Sequence, residues 1–320
     1  MLEVIGAGVL STIQDRGRDA PRLGVPRGGA CDRTALSALQ LLVEGSAAVE
    51  MTLLGATFAV RETCVIGLAG ADFGGEHVEE GRPVRPGTTA LAREGVTLRF
   101  GAALDGARAY LSLAGGIDVP EVLGSRSTCL AGGFGGLDGR PLREGDVLRA
   151  LAPERLDLAG RRWPGAASGA LPEPDVSPVR VVLGPHVSDI APRALDGLLG
   201  TDWTVDPRSD RMGLRLDGAP VFGVATGELL SLPMVEGAVQ LPPSGTPIVL
   251  LADHQTVGGY PVPLVVTSVD LPRLAQLRPG DRVRFEGVTL DEAFRLGVVE
   301  RQAWRDLADA FSRSLGETPA

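Results

Sequence analysis

Short apolar runs alternate with turn-forming clusters along most of the chain. Before residue 160 the runs at 57–61, 64–69, 88–92, 96–100 and 109–114 are separated by glycine-containing turns, which predicts short strands. One segment breaks the rhythm. Leu36, Leu39, Leu42 and Val43 recur at roughly helical spacing behind Asp32, so a helix capped by that aspartate should bury one face. After residue 178 the pattern predicts a strand at 179–183, a short helix at 191–199 and further strands up to Phe285, among them a buried one at 248–252.

The stretch from Gly160 to Pro174 is rich in Gly, Pro, Ala and Ser and has no hydrophobic period, so it reads as a linker. Two β domains are therefore expected, at 1–160 and 179–288, around a linker at 161–178. The halves share a phrase. Pro141-Leu-Arg-Glu-Gly-Asp-Val-Leu-Arg149 resembles Gln276-Leu-Arg-Pro-Gly-Asp-Arg-Val-Arg284, each with a Gly-Asp turn leading into a strand, which suggests a duplicated β domain. The segment 289–320 differs. Thr289 and Glu292 form a capping box, and Leu290, Phe294, Val298, Trp304, Leu307, Ala308 and Phe311 make an apolar stripe, with a break expected near Gly297. This predicts a helical tail packing on a barrel or on a partner.

Composition sharpens the picture. With 44 Gly and 24 Pro in 320 residues, turns are frequent and the fold class should be mainly β. There is no lysine, so all 31 positive charges are arginine, and the chain can neither form a lysine Schiff base nor carry biotin on its own lysine. A net charge of −9 argues against a nucleic-acid surface. Cys31, Cys64 and Cys129 are odd in number and far apart, which fits small core or turn residues in a reducing compartment better than disulfides or a zinc site. Neither a signal peptide nor a membrane-spanning run is visible, so a cytoplasmic location is expected.

Candidate chemistry concentrates behind the apolar run at 248–252. Asp253, His254 and Gln255 emerge at its end, with Gly258-Gly259 offering a tight turn and Tyr260 following. His254 suits proton transfer or orientation; a strand-end cap made by its ring is the alternative. With His77 and His186 the only other histidines, a histidine metal cluster is poorly supported and no metal site is expected. A second cluster joins Arg27 and Gly28-Gly29 to the helix start at Asp32, a possible anion cradle or a plain turn. Ser125, Arg126 and Ser127, followed by the glycine-rich stretch at 132–136, could bind phosphate or carboxylate or form a hairpin tip. Asp210 and Arg211 could form an ion pair.

In chain order, Thr12-Ile-Gln-Asp-Arg-Gly-Arg18, Leu23-Gly-Val-Pro-Arg-Gly-Gly-Ala-Cys-Asp32, Leu113-Ala-Gly-Gly-Ile-Asp118, Leu123-Gly-Ser-Arg-Ser-Thr128, Ser209-Asp-Arg-Met-Gly-Leu214 and Leu251-Ala-Asp-His-Gln-Thr-Val-Gly-Gly-Tyr-Pro261 resemble one family. It is the family of the 5-oxoprolinase C subunit, also called allophanate hydrolase subunit 2 or the biotin-dependent carboxyltransferase family. The resemblance implies two cyclophilin-like β-barrels, the 5-oxoprolinase subunits B and A as partners, and ATP with Mg2+ for opening 5-oxo-L-proline to L-glutamate. ATP would phosphorylate the amide oxygen of the lactam, arginines near a glycine cradle would hold phosphate, and His254 or Asp253 would handle a proton. Gln40 stands where asparagine is expected and Val257 where threonine is expected, which alters polar contacts. The same family implies two alternatives: carboxyl transfer to a urea-like amide from biotin on a separate carrier, and a non-catalytic regulatory role on the B subunit.

Overall fold

The computed structural model describes residues 1–165, 178–223 and 230–316. Its contacts group into two units. The first takes Met1–Asp19, the described residues from Gly28 to Gly165 and those from Trp304 onward; the second takes Ala20–Arg27 and the described residues from Pro178 to Ala303. The expected linker at 161–178 lies mostly outside the described residues. Among the described residues, no helix is long and apolar enough to cross a membrane.

The first unit holds two antiparallel sheets. In one, the strands Val147–Leu148, Leu2–Gly6, Thr57–Val60, Thr97–Arg99, Glu76–His77 and Arg82–Pro83 lie in that order; in the other the order is Leu10–Gln14, Ala48–Thr52, Arg108–Leu113, Cys64–Gly70 and Thr88–Ala92. Cys64–Gly70 is buried at every position because both of its faces are covered. Ile66 and Leu68 join the main core, while Ala69 joins the cluster around the helix Arg33–Val43. Gly67 makes that close packing possible: a Cβ there would stand 2.4 Å from Val43 Cγ1 and 2.8 Å from Leu39 Cδ1. The helix starts as expected, with the Asp32 side chain accepting from the Ala35 amide.

The second unit is built on one eight-stranded sheet, in the order Arg282–Val283, Trp203–Val205, Gly213–Asp217, Ile248–Leu250, Ala238–Gln240, Leu264–Val266, Val179–Leu183, Phe285–Gly287. Its two edge strands are separated in the chain by Arg284 alone, so the sheet must curl until its edges approach, which gives a nearly closed barrel. Trp203, Val239, Val249 and Leu264 fill the interior. The mainly β expectation holds, and the predicted strands differ from the observed ones by a residue or two at their ends.

The repeated phrase takes the same conformation in both units. Gly145 and Gly280 have φ of +87° and +92°, Asp146 accepts from the Arg143 amide at 2.7 Å, and Asp281 accepts from the Arg278 amide at 2.7 Å. Each turn is then tied to a valine on a neighbouring strand. The Gly145 amide donates to the Val4 carbonyl and the Gly280 amide to the Val205 carbonyl, while the Val4 and Val205 amides donate to Asp146 and Asp281. Matching bonds at matching positions are what a duplicated unit predicts.

The tail departs from expectation. Leu290–Gly316 is one unbroken helix that runs straight through Gly297, with the Glu292 amide donating to Thr289 Oγ1. Its stripe is buried only towards the C-terminal end. Trp304, Leu307, Ala308 and Phe311 pack with Trp163 on the first-unit helix cluster, whereas Leu290, Phe294 and Val298 are exposed. A single glycine costs a 27-residue helix only about 1 kcal/mol, too little to break it.

Candidate functional site

In the second unit, the strand Ile248–Leu250 pairs with Gly213–Asp217, which brings two motifs face to face. The Leu251 amide donates to Met212 and the Asp253 amide donates to the Arg211 carbonyl. Arg211 then closes the link. Its Nε and Nη2 donate to the two Asp253 oxygens at 2.9 and 3.0 Å, and both side chains are buried. The expected Asp210–Arg211 pair is therefore corrected: Asp210 turns back on its own loop and accepts from the Met212 and Gly213 amides. Both Asp253 oxygens are thus engaged by the guanidinium.

His254 follows directly. Its Nδ1 lies 2.8 Å from the Gln255 carbonyl oxygen, and because a carbonyl can only accept, Nδ1 carries the proton. In the neutral form of the ring the lone pair then sits at Nε2, which has no hydrogen-bond partner among the described residues. Gln255 is held in turn, its Nε2 donating to Gln240 Oε1 at 3.2 Å. Gln240, absent from the sequence expectations, stands at the end of the buried strand Ala238–Gln240. A polar residue closing an apolar run was the available signal.

The expected tight turn at Gly258-Gly259 is corrected as well. Val257–Gly258 is a short strand paired with Leu232–Pro233, and neither glycine has positive φ. Gly258 lies beneath the Gln240 side chain, where a Cβ would stand 2.6 Å from the Gln240 Nε2 at the flexible end of that chain. Gly259 and Tyr260 are exposed. The site can thus offer one proton acceptor, His254 Nε2, on a loop fixed by a buried ion pair and an amide–amide contact.

In the first unit, Asp15 gathers the Gly-Ser-Arg-Ser motif. Its Oδ1 accepts from Ser125 Oγ at 2.7 Å, from Ser127 Oγ and from the Gly17 amide, and its Oδ2 accepts from the Arg126 amide at 2.6 Å. Ser125 and Ser127 are fully buried, so their hydroxyls serve this knot instead of facing a ligand. The Arg126 side chain reaches Glu121 and the Val119 carbonyl. Sequence reasoning quoted Asp15 inside a motif but gave it no role.

Around the anion cradle expected at Arg27, Gly28, Gly29 and Asp32, the amides of residues 30–32 are already engaged. The Ala30 amide donates to the Asp15 carbonyl, Cys31 to Glu50 Oε2 at 2.9 Å and Asp32 to Tyr110 Oη at 2.8 Å, while the Asp32 carboxylate caps the helix. Tyr110 Oη also donates to Glu50, and burial, with that carboxylate beside it, pushes the phenol well above its ordinary range. Gly28 and Gly29 have φ of +63° and +85°, and a Cβ on Gly29 would stand 2.6 Å from the Gly17 amide nitrogen. Gly29 thus serves close packing on the 15–17 backbone. Arg27 is exposed.

Residues 23–287 match the carboxyltransferase domain, subdomain A and B. The chain belongs to that carboxyltransferase family. It is 34% identical to the 5-oxoprolinase C subunit of Escherichia coli over 96% of this chain and 98% of that protein. The corresponding C subunit of Haemophilus influenzae is 33% identical, over 92% and 94%. Urea amidolyase of Lachancea kluyveri is 29% identical over 98% of this chain but 18% of that enzyme. Among solved structures, TTHA0988 superposes with a TM-score of 0.77 at 36% identity, over 89% of this chain and 56% of that one. Kluyveromyces lactis urea carboxylase gives a TM-score of 0.83 at 28% identity, over 97% of this chain and 29% of that one. This carboxyltransferase-family chain therefore spans little more than half, or less, of those solved chains.

Proposed function

We propose that this chain is the C subunit of an ATP-dependent 5-oxoprolinase, acting with subunits B and A to convert 5-oxo-L-proline, ATP and water to L-glutamate, ADP and phosphate. One observation carries the reading. The match to the Escherichia coli C subunit is coextensive, covering 96% of this chain and 98% of that protein, whereas the urea amidolyase match fills only 18% of the larger enzyme.

ATP would supply the activation by phosphorylating the lactam oxygen, which makes the ring carbon electrophilic; water adds there, the C–N bond breaks with the nitrogen leaving as the amine, and the acyl phosphate left behind is hydrolysed to glutamate and phosphate. Of the residues expected to cradle its phosphates, the Asp32 amide is bonded to Tyr110, and the neighbouring Ala30 and Cys31 amides are spent on Asp15 and Glu50. No phosphoryl step is assigned to them. What the second unit offers is a base: His254 Nε2 takes a proton from the water that attacks the ring carbonyl. Arg211–Asp253 and Gln255–Gln240 hold that loop in place so that the imidazole needs no reordering.

The test is to co-purify the full chain with subunits B and A and follow glutamate release from 5-oxo-L-proline with and without ATP. Release that needs all three subunits and ATP is expected; an intact complex that releases none sinks the reading. The likeness to urea carboxylase over 97% of this chain favours a second reading, carboxyl transfer to an amide. Lacking lysine, this chain would need biotin on a separate carrier, and carboxylation of urea by such a mixture would establish it.

A further inference from the structure

A cleft of about 260 Å³ in the first unit is lined by Arg82, Arg85, Arg161 and Arg162, together with uncharged residues and no carboxylate. The chain as a whole carries −9, so this wall runs against its average. Every lining residue falls within 82–90 or 160–162, inside a single compact unit.

The cleft forms where the chain leaving the first unit closes an open sheet edge. Thr88–Ala92 is the last strand of its sheet, and Arg162 bridges to Thr88 across that edge. The Trp163 amide donates to the Gly87 carbonyl and the Thr89 amide to the Arg161 carbonyl, so the bonds flank the bridged pair instead of joining it. In such a pair the two side chains share one face, with Cβ atoms about 5 Å apart. Thr88 Oγ1 also donates to the Arg85 carbonyl at 2.7 Å, which ties the preceding turn to the same point.

The four cations differ in what holds them. Arg161 pairs with Glu44 at 2.8 Å and reaches the Leu42 carbonyl, while Arg82 donates to Glu80 at 3.0 Å and to the Leu91 carbonyl at 2.8 Å. Arg85 and Arg162 have no side-chain hydrogen bond or ion pair among the described residues. Like charges around an acid-free cleft repel, and an anion entering it relieves them. Guanidinium forks match phosphate oxygens two by two, which favours that class of anion. The volume lies just below the roughly 300 Å³ at which pockets take drug-sized ligands, so it suits a small oxyanion better than a whole nucleotide.

We propose that this cleft binds a small phosphate-class oxyanion, free or borne on a small metabolite, with Arg85 and Arg162 clasping it beside the fixed charges of Arg82 and Arg161. The assignment is independent of the 5-oxoprolinase reading, since it uses no residue of that mechanism.

Calorimetric titration of the full chain at physiological ionic strength, with inorganic phosphate, pyrophosphate and glycerol 3-phosphate, tests it. At least one should bind, and Arg85→Gln/Arg162→Gln should weaken that binding by about tenfold or more, through loss of two charge-assisted contacts in a solvated site. Arg305→Gln/Arg313→Gln removes the same two charges from exposed positions on the tail and should change it by less than about twofold. All four side chains are exposed, so both variants should melt with the wild type. Tightest binding by phosphate or pyrophosphate identifies a free anion, and tightest binding by the ester identifies a phosphorylated metabolite; either upholds the site when it depends on Arg85 and Arg162. Binding of none of the three, or a loss no greater than in the tail variant, overturns it.

Discussion

Breaking the Arg211–Asp253 pair should cost the second unit far more than removing it whole. Both side chains are buried, at 3% and 8% exposure, and they share two hydrogen bonds of 2.9 and 3.0 Å. Asp253→Ala leaves a buried guanidinium without its carboxylate, a loss of about 3–5 kcal/mol. Asp253→Asn keeps one acceptor and should lose about half as much. The double variant Arg211→Met/Asp253→Leu removes the charge and its counter-charge together, so its loss should fall short of the summed single losses by about 2 kcal/mol. Urea unfolding followed by Trp203 fluorescence measures this, because Trp203 is fully buried in the second-unit core. Trp163 and Trp304 belong to the first-unit cluster and are replaced by phenylalanine in every variant to isolate the signal. Losses that add within about 0.5 kcal/mol refute the coupling, and with it the claim that this pair positions the His254 loop.

His254→Gln in the complex should lower glutamate release by about a hundredfold or more while the melting temperature holds, as expected for a lost general base; unchanged turnover removes the ring from the mechanism. Gly29→Ala should destabilise the first unit by more than about 1 kcal/mol, because φ is +85° and the new methyl would meet the 15–17 backbone, and calorimetry reads it directly. Asp206, gripped by the Arg208 side chain and amide, is held down to about 2, below the usual 3.9 or so of a free aspartate. A depressed carboxyl contributes stability above pH 4 or so and loses it as pH falls towards 2 or so. Arg208→Ala should therefore move the Asp206 midpoint up towards its ordinary value in a carboxyl-carbon NMR titration, and an unmoved midpoint denies the pairing.

Local pattern was enough for the strands, the capped helix and the Gly-Asp closures, because each depends on neighbours within a few residues. The break expected at Gly297 failed for the opposite reason: a weak local penalty is overridden by the helix around it. At the candidate site, local reading found His254 but could not show that Asp253 is spoken for by Arg211, since 42 positions separate them (253 − 211) and only strand pairing brings them together. Asp210, one residue from Arg211, was the tempting partner and the wrong one, because its carboxylate closes its own bend on the Met212 and Gly213 amides. The Asp15 knot was hidden in the same way. It joins segments about 110 residues apart through hydroxyls that, read along the chain, looked ready for a ligand.

The seam at Arg284 has a kinetic consequence. Val179 and Phe285 lie side by side in parallel pairing across 106 positions (285 − 179), so the second barrel is finished by a contact between its first strand and its last. Such contacts close late and slow folding. A ribosome making this chain must therefore complete almost the entire second unit before Val179–Leu183 gains its Phe285–Gly287 neighbour. Until then that apolar strand stands open along one edge, which makes the nascent barrel most prone to aggregation just before it is complete.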